Sequence, residues 1–88
     1  MYRVVPTPET LDQIAAIPDD LLKSLAEVIA VLELTPWNGR TASDSNPDSW
    51  LRYWVFGPSR NAQVNYMVVE NKLEVHLLRI QWIEPSAS

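Results

Sequence analysis

Polar and aromatic side chains capable of chemistry recur at alternate positions in the C-terminal half of the sequence. Guanidinium groups bind phosphate through paired hydrogen bonds, an indole stacks on a nucleic-acid base, and an imidazole exchanges protons near neutral pH. If these side chains share one exposed face of a β-sheet, that face could bind a phosphate-rich ligand and transfer a proton. The predicted set is Arg52, Trp54, Gln63, Asn65, His76, Arg79 and Gln81.

A purely structural interpretation of the same residues stays open. A half-exposed sheet face is ordinarily polar, and Arg52 beside Trp54 could form only a cation–π pair, worth about 1 kcal/mol. His76 is the only histidine, and a lone histidine on a strand is more often structural than catalytic. Arg60, in the loop "GPSRN", could be a solvated loop cation.

The segment "PWNGR" (36–40) is predicted to be the hinge that ends a helix. Proline prevents the helix from continuing, and Asn-Gly is a strong turn former. We expect Trp37 to seal the end of a helical hairpin, with its indole packed over the core. Arg40 is then expected to lie across the rim of the sheet, and Trp82 to pin the last strand.

Hydrophobic periodicity predicts the elements that must position these side chains. A β-branched run ending at proline indicates a first strand. Thr7, Pro8 and Glu9 are typical of a helix start, and a longer amphipathic helix follows. The predicted elements are a strand at 2–6, helices at 8–17 and 18–34, a loop at 38–49, strands at 50–57, 62–69 and 73–82, and a tight turn at 70–72.

Alternation along the predicted strands assigns their two faces. The residues expected to face the helices are Leu51, Tyr53 and Val55 in one strand and Val64, Tyr66 and Val68 in the next. In the last strand the buried positions change parity, which a β-bulge near Leu77–Leu78 would explain; a central strand covered on both faces is the alternative. The element order predicts a two-layer α+β fold, β-α-α-β-β-β, with a helical hairpin packed on one face of an antiparallel sheet.

Composition limits the class of protein. The chain has 88 residues and no cysteine, so we expect one domain over residues 1–88, with a frayed tail at 83–88. No segment is apolar and long enough to span a bilayer, and the N-terminus lacks a signal peptide, which predicts a cytoplasmic protein. The sequence has no metal-ligand cluster and no glycine-rich nucleotide loop, so no metal and no cofactor are expected.

The charge is unevenly distributed along the chain. Residues 1–49 carry 3 − 8 = −5 charges and residues 50–88 carry 4 − 3 = +1. The acidity therefore belongs to the half predicted to be helical, and the mildly basic half is the predicted sheet. A pI of about 4.7 argues against a protein that coats nucleic acid through bulk electrostatics.

The order of the segments resembles the RelE/ParE superfamily of toxins from bacterial type II toxin–antitoxin systems. The resemblance covers nearly the whole chain, through "YRVVPTPE", "DDLLKSLAEVIAVLELTPWNGR", "WLRYWVFG" and "AQVNYMVVENKLEVHLLRIQW". The hinge "PWNGR" is similar to a variant found in actinobacterial members. This similarity implies that the hinge is the segment with which members of the family end the helical hairpin and enter the RelE-like sheet.

The resemblance implies a toxin that is silenced by a cognate antitoxin, whose amphipathic segment lies across it in a hetero-oligomer. The RelE branch implies an endoribonuclease (mRNA interferase) that inhibits translation: on the ribosome, a ribose 2′-OH of the message attacks the neighbouring phosphate without a metal. The ParE branch implies action on DNA gyrase through protein contact. A family-fold binding protein with a decayed catalytic set is the third hypothesis.

Only some of the family's functional residues have a match at the corresponding positions of this sequence. Arg52 matches an arginine common in the family's second strand, and Arg60 lies in a hairpin loop that is often basic. Gln63 stands where many members have arginine, and the last strand ends in Gln81-Trp82 instead of a His-Arg pair. The residues expected to be catalytic are Arg52, Arg60, Arg79, His76 and Tyr66, and those expected to bind substrate are Arg40, Trp54, Gln63, Gln81 and Trp82.

Overall fold

The structure, a computed structural model, describes residues 1–41 and 49–83. No helix in those two ranges has the length and apolarity needed to cross a membrane. Two 3₁₀ turns, Pro36–Asn38 and Glu70–Lys72, connect longer elements. These elements are β1 (Arg3–Pro6), α1 (Pro8–Ala16), α2 (Asp19–Leu34), β2 (Arg40–Thr41), β3 (Leu51–Phe56), β4 (Ala62–Val69) and β5 (Glu74–Trp82).

The strands form one sheet in the order β1-β5-β4-β3-β2. The pairs β5–β4, β4–β3 and β3–β2 are antiparallel, whereas β1 is parallel to β5. A parallel pair requires a crossover connection, and the α1–α2 hairpin and the strands after it supply that connection. The predicted two-layer α+β fold is confirmed. The structure adds the short edge strand β2 and the parallel pairing of β1.

Local sequence signals set both helices. Thr7 caps α1, because its hydroxyl accepts a hydrogen bond from the Thr10 backbone while Thr10 Oγ1 accepts one from the Thr7 backbone. Pro8 follows at the first helical position, where its missing N–H is not needed. The core-facing stripe of α2 is completely covered and consists of Leu21, Leu25, Val28 and Leu32.

A β-bulge at Leu78 changes the parity of β5, which is the first of the two explanations left open by the sequence. Tyr66 of β4 pairs with Leu77 and the preceding Asn65 pairs with Arg79, so Leu78 is the additional residue. Val75 and Leu77 before the bulge and Ile80 after it are therefore all buried against the helices. On α1, the Gln13 Oε1 atom accepts a hydrogen bond from the Ile80 backbone N–H at 2.6 Å, which ties the helix to β5 beside the bulge.

The faces predicted for β3 are wrong. Arg52 pairs with Tyr66, and Trp54 pairs with Val64; directly opposed residues of antiparallel strands share a face, so Arg52 and Trp54 lie on the helix side. Leu51, Tyr53 and Val55 face away from the helices. Both alternating sets of β3 are largely apolar, so periodicity alone does not rank them. The set that contains Trp54 and the buried Phe56 has the larger rings and buries more apolar surface in the core, which is the physical reason for its position.

The hinge after α2 is packed tightly against the sheet. The Tyr66 hydroxyl donates a hydrogen bond to the Pro36 carbonyl at 2.6 Å, and both residues are buried. Gly39 lies against the same ring, where a Cβ atom would overlap Tyr66 Oη and come within 2.8 Å of its Cζ. The glycine at the end of the hinge is therefore required by this close approach.

The remaining predicted connections are partly within the described residues. The turn at 70–72 is confirmed and ends in Leu73, whose backbone is left-handed with a φ of 51°. Most of the loop predicted at 38–49 lies outside the described residues, as does the tail after Ile83. The Ile83 backbone exchanges hydrogen bonds of 2.9 and 2.8 Å with Asn61.

We expect Gly39→Ala to lower the free energy of unfolding by at least about 1–3 kcal/mol, the range for overpacked sites. The added methyl group has no room beside the Tyr66 ring. Urea denaturation of the variant, followed by circular dichroism, measures this loss. Adding Tyr66→Phe removes the hydroxyl that overlaps the methyl group, so the double variant should lose less than the sum of the two single losses. Additive losses would show that the close approach does not exist.

Candidate functional site

A row of polar side chains crosses the face of the sheet that is turned away from the helices, here called the open face. Strand pairing places Arg40 opposite Tyr53, Tyr53 opposite Asn65, and Asn65 opposite Arg79. The row thus runs through β2, β3, β4 and β5. With strands about 4.8 Å apart, the two arginine backbones lie roughly 14 Å from each other.

Beside this row, amide side chains and a loop arginine line shallow depressions. One depression, of about 460 Å³, is lined by Arg60, Gln63, Gln81 and Trp82 among others. A second, of about 280 Å³, lies between Arg40, Tyr53 and Arg60. Gln63 Nε2 donates a hydrogen bond to Asn65 Oδ1 at 2.9 Å, which joins the amides to the polar row.

His76 lies on the open face one step further along the sheet, opposite Met67 of β4. Its Nε2 atom is 3.0 Å from Oε1 of Glu74. The other oxygen of this carboxylate, Oε2, accepts a hydrogen bond from the guanidinium of Arg3 on the neighbouring strand β1. The bonds from His76 and then Arg3 lower the pKa of the Glu74 carboxyl.

The two layers differ in charge. Among residues 1–41 and 49–83, Arg3, Arg40, Arg60 and Arg79 lie on the open face or its rim with one acidic residue, Glu74, which gives 4 − 1 = +3. The helices, over residues 8–34, carry one lysine against six carboxylates, 1 − 6 = −5. The fold therefore places four of the five arginines on the open face or its rim, although the protein as a whole is acidic.

Arg52 does not belong to the open face, which corrects its predicted position beside Arg79. Its Nη1 atom donates hydrogen bonds to the carbonyl oxygens of Trp37 at 2.7 Å and Gly39 at 2.9 Å. Its guanidinium carbon lies 4.9 Å from the centroid of the Trp37 ring system. The cation–π pair in the structure thus joins Arg52 to the hinge, and Trp54 has no part in it. Arg52 and Arg79 lie on opposite sides of the sheet, because β3 has the opposite parity to the one predicted.

Tyr66 and Trp54 are also on the helix side. The predicted role of Tyr66 on the open face is wrong, whereas Trp54 also lines the depression between Arg40 and Arg60, so its contact with a substrate stays a prediction. Tyr66 has no exposed surface, and burial raises its pKa to about 12. Trp54 is half-buried and packs against the core beside α2. Trp82 is half-buried as well, but it also lines the larger depression of the open face.

Trp37 packs against the core and is held from outside by Glu70. The Glu70 carboxylate accepts a hydrogen bond from Trp37 Nε1 at 2.7 Å and from the Tyr2 hydroxyl at 2.6 Å. These hydrogen bonds, from Tyr2 first and Trp37 second, lower the pKa of Glu70. The expectation that Trp37 seals the end of the helical hairpin agrees with this position.

Two side chains of the open face were missed as site residues. The sequence analysis places Tyr53 in the core. The available signal against this placement was that the alternate residues of β3, which include Trp54 and Phe56, are also largely apolar and could face the core instead. Glu74 is absent from the residues predicted to form the site. Its spacing of two residues from His76 on a strand places both on one face and was the available signal.

The sequence matches no protein-family model and no curated protein. The structure is similar to the isolated E. coli RelE toxin, with a TM-score of 0.78 and 12% sequence identity over 99% of this chain and 89% of that chain. This chain has the RelE fold. The match to a chain of the intact E. coli RelBE toxin–antitoxin complex has a TM-score of 0.77 and 11% identity, over 97% of this chain and 100% of that one.

We expect Glu70→Gln to flatten the acid dependence of stability. Folding lowers the pKa of Glu70 below its ordinary value of 4.5, so its ionised form stabilises the fold above that value, and this stabilisation is lost as the pH falls through the lower, folded pKa. Urea titrations at a series of acidic pH values measure the slope. Glu27→Gln, which removes an exposed carboxylate from α2, is the control, and an equal flattening in both variants would contradict the assignment.

Proposed function

We propose that the protein is the toxin of a toxin–antitoxin pair and acts as a RelE-like endoribonuclease on ribosome-bound messenger RNA in the cytoplasm. The observation that carries the proposal is the RelE fold in combination with a basic open face on an otherwise acidic chain. Phosphate contacts supply most of the affinity of such surfaces for nucleic acid. A cognate antitoxin is the partner that keeps the toxin silent.

The proposed reaction needs cations that hold the phosphate in place. The 2′-oxygen of a ribose attacks the adjacent phosphorus, the P–O5′ bond breaks, and a 2′,3′-cyclic phosphate and a 5′-hydroxyl result. Negative charge grows on the phosphoryl oxygens in the transition state, and guanidinium groups stabilise it. Arg79 and Arg40 project from strands of the polar row and Arg60 from the loop beside it, so these arginines are the proposed phosphate ligands.

The reaction also needs one group that accepts the 2′-OH proton and one that protonates the leaving 5′-oxygen. On the open face, the side chains with suitable atoms beside Arg79 are His76 and Tyr53. Tyr66, the phenol expected from the sequence, instead donates a hydrogen bond to the Pro36 carbonyl inside the core. The revised set therefore replaces Arg52 and Tyr66 with Arg40 and Tyr53.

A protein-binding toxin, ParE-like and directed at a target such as DNA gyrase, is the second candidate. One end of the open face is apolar: Leu51 is 45% exposed and lies opposite Met67, and the preceding residue in the chain, Trp50, is 57% exposed. Exposed aromatic and aliphatic side chains favour protein contacts over RNA contacts. A degenerate member that binds only its antitoxin would use the same surface.

Induced expression in a bacterial host and addition to a translating extract test the first candidate. We expect growth arrest and cleaved messages, with the cut positions mapped by primer extension. Arg79→Ala with Arg40→Ala should slow cleavage by about 100-fold or more, since each removes a phosphate-binding cation. Lys23→Ala, which removes a cation from α2, is the matched control and should cleave like the wild type.

Growth arrest with intact messages would contradict the ribonuclease and favour the protein-binding toxin. Harmless expression, without growth arrest and without cleavage, would contradict both toxin candidates and leave the binding protein. Equal cleavage by the double arginine variant and by Lys23→Ala would show that the reaction takes place elsewhere on the molecule.

Arg60 allows a test that separates stability from activity. Its backbone is left-handed with a φ of 53°, a conformation that glycine adopts without strain. We expect Arg60→Gly to raise the free energy of unfolding by roughly 0.5–1 kcal/mol and to lower the cleavage rate, because a phosphate ligand is lost. Urea denaturation and the extract assay measure the two effects.

The matched control is Leu73→Gly, the same substitution at the other left-handed, non-glycine residue among those the structure describes (φ 51°). It lies in the turn before β5, away from the polar row. Leu73→Gly should relieve the same backbone strain and leave cleavage unchanged. Full activity of Arg60→Gly would remove Arg60 from the site.

A further inference from the structure

We propose that Glu74 is a positioning residue that holds His76 as the proton acceptor of the open face. The inference rests on the proposed ribonuclease function and goes beyond it by assigning the roles of Glu74 and Arg3. The carrying observation is the chain of contacts from Arg3 through Glu74 to His76, which spans two neighbouring strands.

The carboxylate of Glu74 is fixed from two sides. Oε1 contacts Nε2 of His76 at 3.0 Å, and Oε2 accepts the hydrogen bond from Arg3. The Glu74 side chain is only 14% exposed, while the His76 side chain remains 31% exposed. A covered carboxylate thus supports a ring that a ligand on the open face can reach.

The contact with Glu74 also determines which ring nitrogen carries the proton. The pKa of Glu74 is lowered by its two hydrogen bonds, so the group is an ionised carboxylate and can only accept. Nε2 of His76 must therefore be the protonated nitrogen of the neutral ring. Nδ1 is then left with a free lone pair, directed away from Glu74, and within residues 1–41 and 49–83 it has no hydrogen-bond partner.

His76 lies close enough to the phosphate ligands to act with them. His76 pairs with Met67 of β4, and Arg79 pairs with Asn65 of the same strand. Met67 and Asn65 are two residues apart on one face, so the two side chains start about 7 Å from each other along the sheet. With a phosphate held by Arg79, the ribose on its 3′-linked side comes within reach of Nδ1. Nδ1 takes the proton from the 2′-OH as the oxygen attacks phosphorus, and the departing 5′-oxygen takes the proton of the Tyr53 hydroxyl, which water then restores.

Few other charged groups face His76. Across β4 its neighbour is Met67, and across β1 it is Val5, which pairs with it directly. Among the residues that the structure describes, the charged groups of the open face near it are Glu74 and Arg3 on one side and Arg79 on the other. Since Nε2 is already used by Glu74, protonation of the ring at Nδ1 is the event that would switch off the proton acceptor.

The first test is nuclear magnetic resonance of the wild-type protein, in which the single histidine gives one set of ring nitrogen signals. We expect the ¹⁵N shifts of the neutral ring to show the tautomer protonated at Nε2. In Glu74→Ala the preference for this tautomer should weaken. A wild-type ring protonated at Nδ1 would overturn the proposal without any measurement of activity.

The second test is kinetic and uses programmed ribosomes under single-turnover conditions. His76→Ala should lower the cleavage rate about 100-fold or more, and Glu74→Ala roughly 10-fold or more. The wild-type rate should rise with pH, as expected for a reaction with a general base, and this dependence should disappear in His76→Ala. Glu74→Gln keeps the size and one acceptor atom, so it should recover part of the rate lost in Glu74→Ala. Glu27→Ala on α2 is the control and should match the wild type.

The outcomes separate this inference from the function on which it rests. A wild-type protein that leaves messages intact overturns the ribonuclease and this assignment together. A wild-type protein that cleaves, with Glu74→Ala equal to it in rate and pH profile while Arg79→Ala is impaired, overturns the role of Glu74 alone. Loss of rate in Glu74→Ala with an unchanged pH profile would show a structural role instead.

Discussion

The β-bulge at Leu78 is the constraint on which the core and the open face both depend. His76 and Arg79 are three residues apart, so in a regular strand they would lie on opposite faces. The additional residue at the bulge returns Arg79 to the face of His76 and, at the same time, directs Ile80 into the core. One local irregularity therefore closes the hydrophobic layer and brings together a cation and an imidazole on rigid backbone, which holds side chains more precisely than a loop does.

The hinge between the layers is held by donors from the sheet. The Tyr66 hydroxyl and the Arg52 guanidinium satisfy carbonyl groups of Pro36, Trp37 and Gly39. A buried carbonyl without a partner costs about 1–3 kcal/mol, so the chain can leave α2 at this point only because β3 and β4 present these donors. Arg52, which resembled a catalytic arginine by its position in the sequence, is used here to secure the hinge.

Because both helices pack on one face of the sheet, the negative charges of the helices are separated from the arginines of the open face. The acidic side chains of α1 and α2 belong to the helical layer, which packs roughly 10 Å from the sheet, whereas the Debye length at physiological salt is about 8 Å. A phosphate on the open face therefore responds to the nearby arginines, of which the described face and rim carry four against one glutamate. A net charge of −4 is thus compatible with a local surface that binds RNA. The overall pI is a poor guide to that surface.

By itself the sequence determined the order of the elements, the capped start of α1, the buried stripe of α2 and the change of parity in β5, because each follows from local periodicity and turn chemistry. It also indicated a resemblance that the RelE fold of the structure confirms. It did not determine the faces of β3, since both alternating sets are apolar and periodicity cannot rank them. Tertiary structure decided that question through the pairing with β4 and the volume beneath α2, and so placed Arg52 at the hinge and Tyr53 on the open face. The pairing of Glu74 with Arg3 was likewise decided only by the fold, because it joins residues 71 positions apart through a parallel strand contact that no local pattern encodes.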